Sequence, residues 1–195
     1  MTQDQHANTI PASLRDLDQV THLDSVVLKQ HYVTTMFEII APRYNRFTRA
    51  FSFGMDAVWK NQLVELAKPY VTETSCVLDL ACGTGDLAFA FARLAPQGQI
   101  LGIDAAPTMI SLAKSTAITN AVHHVDFAVG DLTLLELPDA SHDVVSMGMV
   151  YAMFRWCAPR CAKSIACCGR AAFLLISTLP ALMNSGGVSC ISATC

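Results

Sequence analysis

Three carboxylates and two glycines in the middle of this chain stand at spacings suited to a small charged ligand. Asp79 lies inside an apolar run and four residues before Gly83, Gly85 follows, and Asp104 and Asp131 each close a later apolar run. Glycine has no Cβ, so Gly83 and Gly85 can adopt backbone angles closed to other residues and let a ligand approach the main chain. An ionised carboxylate offers two acceptor oxygens. Asp104 can therefore take both hydroxyls of a ribose. Asp131 can accept from the amino group of an adenine, with the adjoining Leu132 against its apolar face.

Two ligand classes use such a turn. Gly83-x-Gly85-x-x-Ala88 fits a loose dinucleotide fingerprint, with Asp104 about 20 residues on. Against NAD stands Asp79, because a pyrophosphate seeks helix N–H groups and is repelled by a nearby carboxylate. S-adenosylmethionine carries a sulfonium and an ammonium and no phosphate, which carboxylates around the turn can hold. The favoured reading is this methyl donor, bound by Asp79, Gly83, Gly85, Asp104, Asp131 and Leu132. The bland alternative is a tight strand-to-helix connection that binds nothing.

These residues need elements to position them. A helical pattern begins at Asp24 and runs through Val27, Leu28, Tyr32, Val33, Met36, Phe37 and Ile40, with Pro42 expected to stop it. A second helix is expected from about Asp56 to Lys68, closed by Pro69. Strand one is read at Cys76–Ala81 with its helix at Leu87–Leu94, strand two at Gln99–Ile103, and a helix from Pro107 to about Ile118. Strands three and four are read at Val125–Val129 and Asp143–Met147. The alternation predicts an α/β fold with a doubly wound, Rossmann-like parallel sheet and a crevice at the carboxyl ends of its strands.

With 195 residues, 52% apolar and 15% charged, the chain can bury a full core. Its net charge of −3 makes no electrostatic case for nucleic acid. Residues 1–22 are polar, read as flexible, and do not resemble a secretory signal. No apolar run reaches the roughly 20 residues of a membrane span, so a cytoplasmic location is expected. All sixteen acids and all six histidines lie at or before Asp143, and six of the eight cysteines fall at 157, 161, 167, 168, 190 and 195. The composition therefore changes near residue 147.

Residues 30–148 resemble the ubiquinone/menaquinone biosynthesis C-methyltransferases, class I enzymes dependent on S-adenosylmethionine. The resemblance rests on Met36-Phe37-Glu38-Ile39-Ile40-Ala41-Pro42-Arg43-Tyr44-Asn45, on Ser52-Phe53-Gly54 with Trp59-Lys60, on Leu78 through Leu87, and on Asp143-Val144-Val145-Ser146. It implies a methyltransferase domain over 23–148, with cap helices in 24–70 and the donor-binding α/β part in 75–148. It adds Thr84 to the donor-binding set and supports Asp104, Asp131 and Leu132, and it places Tyr44 in the segment that covers the substrate. It singles out no general base and no metal. Asn45, Thr48 and Asp56 stand where the family has Asp, Asn and often His. The implied reaction moves a methyl group to a ring carbon of a demethylated polyprenyl quinol. Phe47, Phe51, Phe53 and Met55 would line an apolar cleft for the tail, with peripheral membrane contact as the corollary.

Past strand four the resemblance fails in the given frame and returns in a shifted one. Combining each codon's last base with the next codon's first two forces Gly at Met149–Val150 and Val at Met153–Phe154. Residues 165–172 then permit the family's Arg-Val-Leu-Arg-Pro-Gly-Gly. Residues 149–195 are accordingly expected to be an out-of-frame tail, with the sheet incomplete after strand four and that strand left as an open edge. A metal or disulfide module on the tail cysteines is the competing reading, though the tail has no histidine and no C-x-x-C pair. A helix over Phe173–Leu182 remains open to it.

Overall fold

The computed structural model describes residues 34–132, 135, 137–138 and 140–149, together with the backbone of 173–177 and 188–191. The expected flexible residues 1–22, the first part of the N-terminal helix and the tail cysteines other than Cys190 lie outside them. Helix α1 covers residues 34–40, followed by a 3-10 turn at Ala41–Arg43, α2 at Tyr44–Phe51 and α3 at Met55–Ala67. The first α-helix ends at residue 40, as expected from Pro42. That proline falls in the first turn of the 3-10 segment, where a missing N–H leaves no helical bond unmade, and the chain passes directly into α2. A second 3-10 turn at Lys68–Tyr70 takes up Pro69.

The alternation then follows as read: β1 Cys76–Leu80, α4 Asp86–Leu94, β2 Gln99–Asp104, α5 Pro107–Thr119, β3 Val125–Val129 and β4 Val144–Met149. Two further strands, β5 Phe173–Ser177 and β6 Val188–Ile191, complete a sheet of order β3-β2-β1-β4-β5-β6. All neighbours are parallel except β5 and β6, which are antiparallel. The class expected from sequence, a Rossmann-like α/β sheet, is the class observed.

The expectation that the sheet stops at strand four is corrected. Residues 173–177 form a strand where a helix was considered, and Val145–Met149 pair with them in parallel register. The run Phe-Leu-Leu-Ile suits a strand buried on both faces. An unpaired β4 would leave a row of N–H and C=O groups unsatisfied, and β5 meets them.

Chain reversal between β1 and β4 makes the topological switch point, the usual place for a ligand crevice in such a sheet. The two sheet faces bury separate clusters. Val77, Ile100, Val125, Phe127 and Val144 pack under α3, α4 and α5 through Leu63, Leu87, Phe91 and Ile110, while Leu78, Leu80, Ile103, Leu132, Val145 and Met147 fill the other face. Asp143 pins the starts of β1 and β4. Its backbone N–H donates to the Cys76 carbonyl at 2.8 Å and its Oδ2 accepts from the Cys76 N–H at 2.8 Å.

Candidate functional site

The chain leaves β1 through Ala81, whose φ of 52° is left-handed, and turns through Gly83 (φ 55°) and Gly85 (φ 87°) into α4. Both glycines need their positive φ, yet they face different neighbours. A Cβ at Gly83 would meet only Tyr44 Cε1, at 4.0 Å, so this side of the turn is open. A Cβ at Gly85 would stand 2.7 Å from Phe127 Cζ and 3.0 Å from Phe89 Cε2. The space beside Gly83 is thus open, whereas Gly85 is required by core packing.

Asp104 holds the turn from the end of β2. The Gly83 N–H donates to its Oδ2 at 2.8 Å and the Ala106 N–H to its Oδ1 at 2.9 Å. Each oxygen keeps a further lone pair for a ribose hydroxyl. Burial raises this carboxyl above its ordinary range, while those N–H bonds work in the opposite direction. Asp131 follows directly on the strand beside it: the Gly130 N–H donates to the Asp104 carbonyl at 3.0 Å. Leu132, 9% exposed, packs with Leu78, Leu80 and Ile103, so most of its surface is committed to the core.

Asp79 lies below the turn rather than on its surface. It is 0% exposed, and its strand neighbours in register are Ser146 and Gly102. The Ser146 hydroxyl donates to Oδ1 at 2.7 Å, and Oδ2 has no hydrogen bond of regular geometry. Burial pushes the carboxyl up to about 7, against the pull of the Ser146 bond and of the Ala88 N–H.

The N-terminal helices cover this floor. Tyr44 packs edge-on against Phe37, with ring centroids 5.8 Å apart, and joins Ala41, Ala106, Met109 and Leu112. Burial raises its phenol pKa, and a hydrogen bond with Thr48 opposes the rise. A cleft of about 210 Å³ opens between Ala41–Arg43, Thr84, Asp86 and the α5 residues Leu112 and Thr116. Thr84 lines this cleft, and Tyr44 stands beside Gly83.

Three contacts had not been foreseen. Lys60 Nζ reaches Asp86 Oδ2 at 2.6 Å and ties α3 to the start of α4. Burial lowers the Lys60 pKa, and the bond and charge of Asp86 outweigh that and raise it. Glu38 accepts from the Thr108 N–H at 2.9 Å and from the Thr108 hydroxyl, which caps α5 from another helix. Ser146 supports Asp79. Only the last had a signal in sequence: Asp79 and Ser146 are each the polar residue within an apolar strand. Of the family departures, Thr48 serves Tyr44, and Asp56 bonds Ser52 Oγ at 3.0 Å and lies 3.6 Å from Lys60.

A sheet with its switch point beside a glycine turn, and helices packed against it, defines a Rossmann-like α/β domain. The chain belongs to the ubiE/COQ5 methyltransferase family, which it matches over residues 25–154. It is 37% identical over 119 residues to the demethylmenaquinone methyltransferase of Thermus thermophilus, covering 61% of this chain and 53% of that protein. It is 36% identical over 126 residues to the demethylmenaquinone methyltransferase of Deinococcus radiodurans, covering 65% and 51%. The chain thus spans about half the length of these relatives. Among solved structures, an SAM-dependent methyltransferase from Aquifex aeolicus superposes with a TM-score of 0.52 at 16% identity, over 58% of this chain and 61% of that one, which bears on the fold alone.

Proposed function

We propose that this chain carries the donor-binding part of an S-adenosylmethionine-dependent C-methyltransferase for a demethylated polyprenyl quinol of menaquinone or ubiquinone biosynthesis. The observation that carries the reading is Asp104, fixed by Gly83 and Ala106 at the mouth of an open turn with Asp79 beneath it. Asp104, with an ionisable Asp79 beneath it, favours a cationic nucleoside over a diphosphate. S-adenosylmethionine supplies a methyl group made electrophilic by its sulfonium. The chain's own residues bind and align: Asp104 accepts from the ribose, Asp131 from the adenine amino group with Leu132 against the ring's face, and Gly83 and Thr84 line the methionine end.

Tyr44 is suited to positioning. Its raised pKa keeps the hydroxyl protonated near neutral pH, so it donates a hydrogen bond and does not act as the base. Holding donor and ring carbon in line is the main contribution asked of such a site. Phe53 is 90% exposed and Met55 42% exposed, which removes core packing as their explanation and suits contact with an apolar tail. Peripheral contact with the quinol's membrane follows, from a cytoplasmic chain. Among the described residues no helix is long and apolar enough to cross a membrane. Sedimentation with quinol-loaded vesicles tests this, and recovery of all protein in the supernatant counts against it.

Residues 149–195 are read as an out-of-frame tail, a reading supported by a family match that reaches only residue 154. Sequencing the gene across codons 140–160 and finding an intact frame would remove it. The tail replaces the family's segment after strand four, so turnover by this chain is expected to be weak. A donor-binding domain without turnover is the second reading. Calorimetry with S-adenosylmethionine, beside a methylation assay on demethylmenaquinol, separates them: binding with methylation supports the enzyme, binding alone the remnant. A thermal shift with NAD and none with S-adenosylmethionine would defeat both.

A further inference from the structure

Among the described residues, Asp79 is the one charged side chain in the buried core. One of its oxygens takes the Ser146 hydroxyl and the other makes no hydrogen bond of regular geometry. The ion pairs of the described residues join Lys60 to Asp56 and Asp86 and Lys68 to Glu65, and none brings a cation to Asp79. The charged groups that bear on it are Asp104 from the end of β2 and Asp86 from the start of α4, both acids. Cys82, in the turn above, is held as a neutral thiol by burial and by the nearby acids Asp79 and Asp104. From α4 the Ala88 N–H offers the anion some relief, and from β4 only Ser146 does. A buried carboxylate with such neighbours is costly to charge.

We propose that Asp79 holds its proton in the ligand-free chain and releases it when the cationic methyl donor settles over the Gly83–Gly85 turn, so that donor binding and proton release are one coupled event. This rests on the donor-binding reading above and gives it a regulation. The O–H bond of Asp79 breaks and the proton passes to solvent. The carboxylate keeps the Ser146 bond and faces the donor's positive charge through a thin, poorly screening layer of backbone. The coupling makes donor affinity rise with pH while the unliganded acid is still protonated, by up to about tenfold per pH unit.

Calorimetry of the full chain with S-adenosylmethionine, at about pH 6.5 in two buffers of different ionisation heat, counts the protons released. About half a proton or more per donor bound is expected, with none from Asp79→Asn. The native chain provides a second readout: its infrared difference spectrum should lose a protonated-carboxyl band and gain a carboxylate band on donor addition. Binding without proton release and with that band unchanged overturns the coupling alone, as does release that persists in Asp79→Asn. Failure of the donor to bind at any pH overturns the donor-binding reading, and the coupling with it.

Discussion

A methyl group added at Gly85 would sit within 3.0 Å of both Phe127 and Phe89, at a φ of 87°. Gly85→Ala is therefore expected to cost about 2–4 kcal/mol, combining overpacking with left-handed strain. Gly83→Ala meets open space and should cost only about 1–2 kcal/mol in stability, while weakening donor binding more than Gly85's neighbours would suggest. Urea melts of the two variants beside donor titrations test this division. Ala81 presents the reverse case, a Cβ held at φ 52°. Ala81→Gly should raise stability by about 0.5–1 kcal/mol in the same melts. Part of the acid-range behaviour belongs to Asp79, whose folded pKa of about 7 stands above its ordinary 3.8. Its folded form binds the extra proton, so its contribution is fully present below the unfolded value and is lost as pH climbs through the folded one. Asp79→Asn should flatten that decline in stability between those two limits, and a variant that leaves it unchanged would place the titration elsewhere.

At the level of elements, helices are tied to one another by a few long-range polar contacts. α5 has Ala106 at its N-cap and no side-chain cap of its own, and Glu38 supplies that function from 70 residues away. Removing a cap costs about 1 kcal/mol, so Glu38→Ala should lower the melting midpoint measurably and Glu38→Gln less, since the amide keeps one acceptor. Lys60 joins α3 to Asp86, in the first turn of α4, where an acid also complements the helix dipole. That pair is partly exposed, so Lys60→Met should change stability little. Any effect it has should fall on the seating of α3 beside the turn.

Taken as a whole molecule, the sheet was the legible part of the sequence. β3 falls on the residues read for it, and β1, β2, α4 and α5 agree within one or two residues, because apolar runs punctuated by Gly and Pro carry a local signal. The 3-10 passage at Pro42 and the helix α2 behind it were not legible, since proline at a first turn and proline as a stop look alike in sequence. Asp104 and Gly83 were recognisable by spacing. The burial of Asp79 and the core role of Gly85 were not, because both depend on what Phe127 and Ser146 bring from other strands. β5 and β6 escaped notice because the pairings that make them strands, β5 on β4 and β6 on β5, leave no local signal in sequence. Deleting residues 150–195 would strip β4 of its cover, and the shortened chain should self-associate, as light scattering against the full chain would detect. Equal monodispersity of the two would mean that the β4–β5 pairing contributes little to solubility.

The bond from Thr108 to Glu38 also gives the molecule an internal reporter. A first-turn amide has no acceptor within its own helix, so any retardation of deuterium uptake at Thr108 comes from the carboxylate of the arm lying across it. The uptake rate at that single amide measures how often the N-terminal arm lifts away, without the need for a ligand or a label.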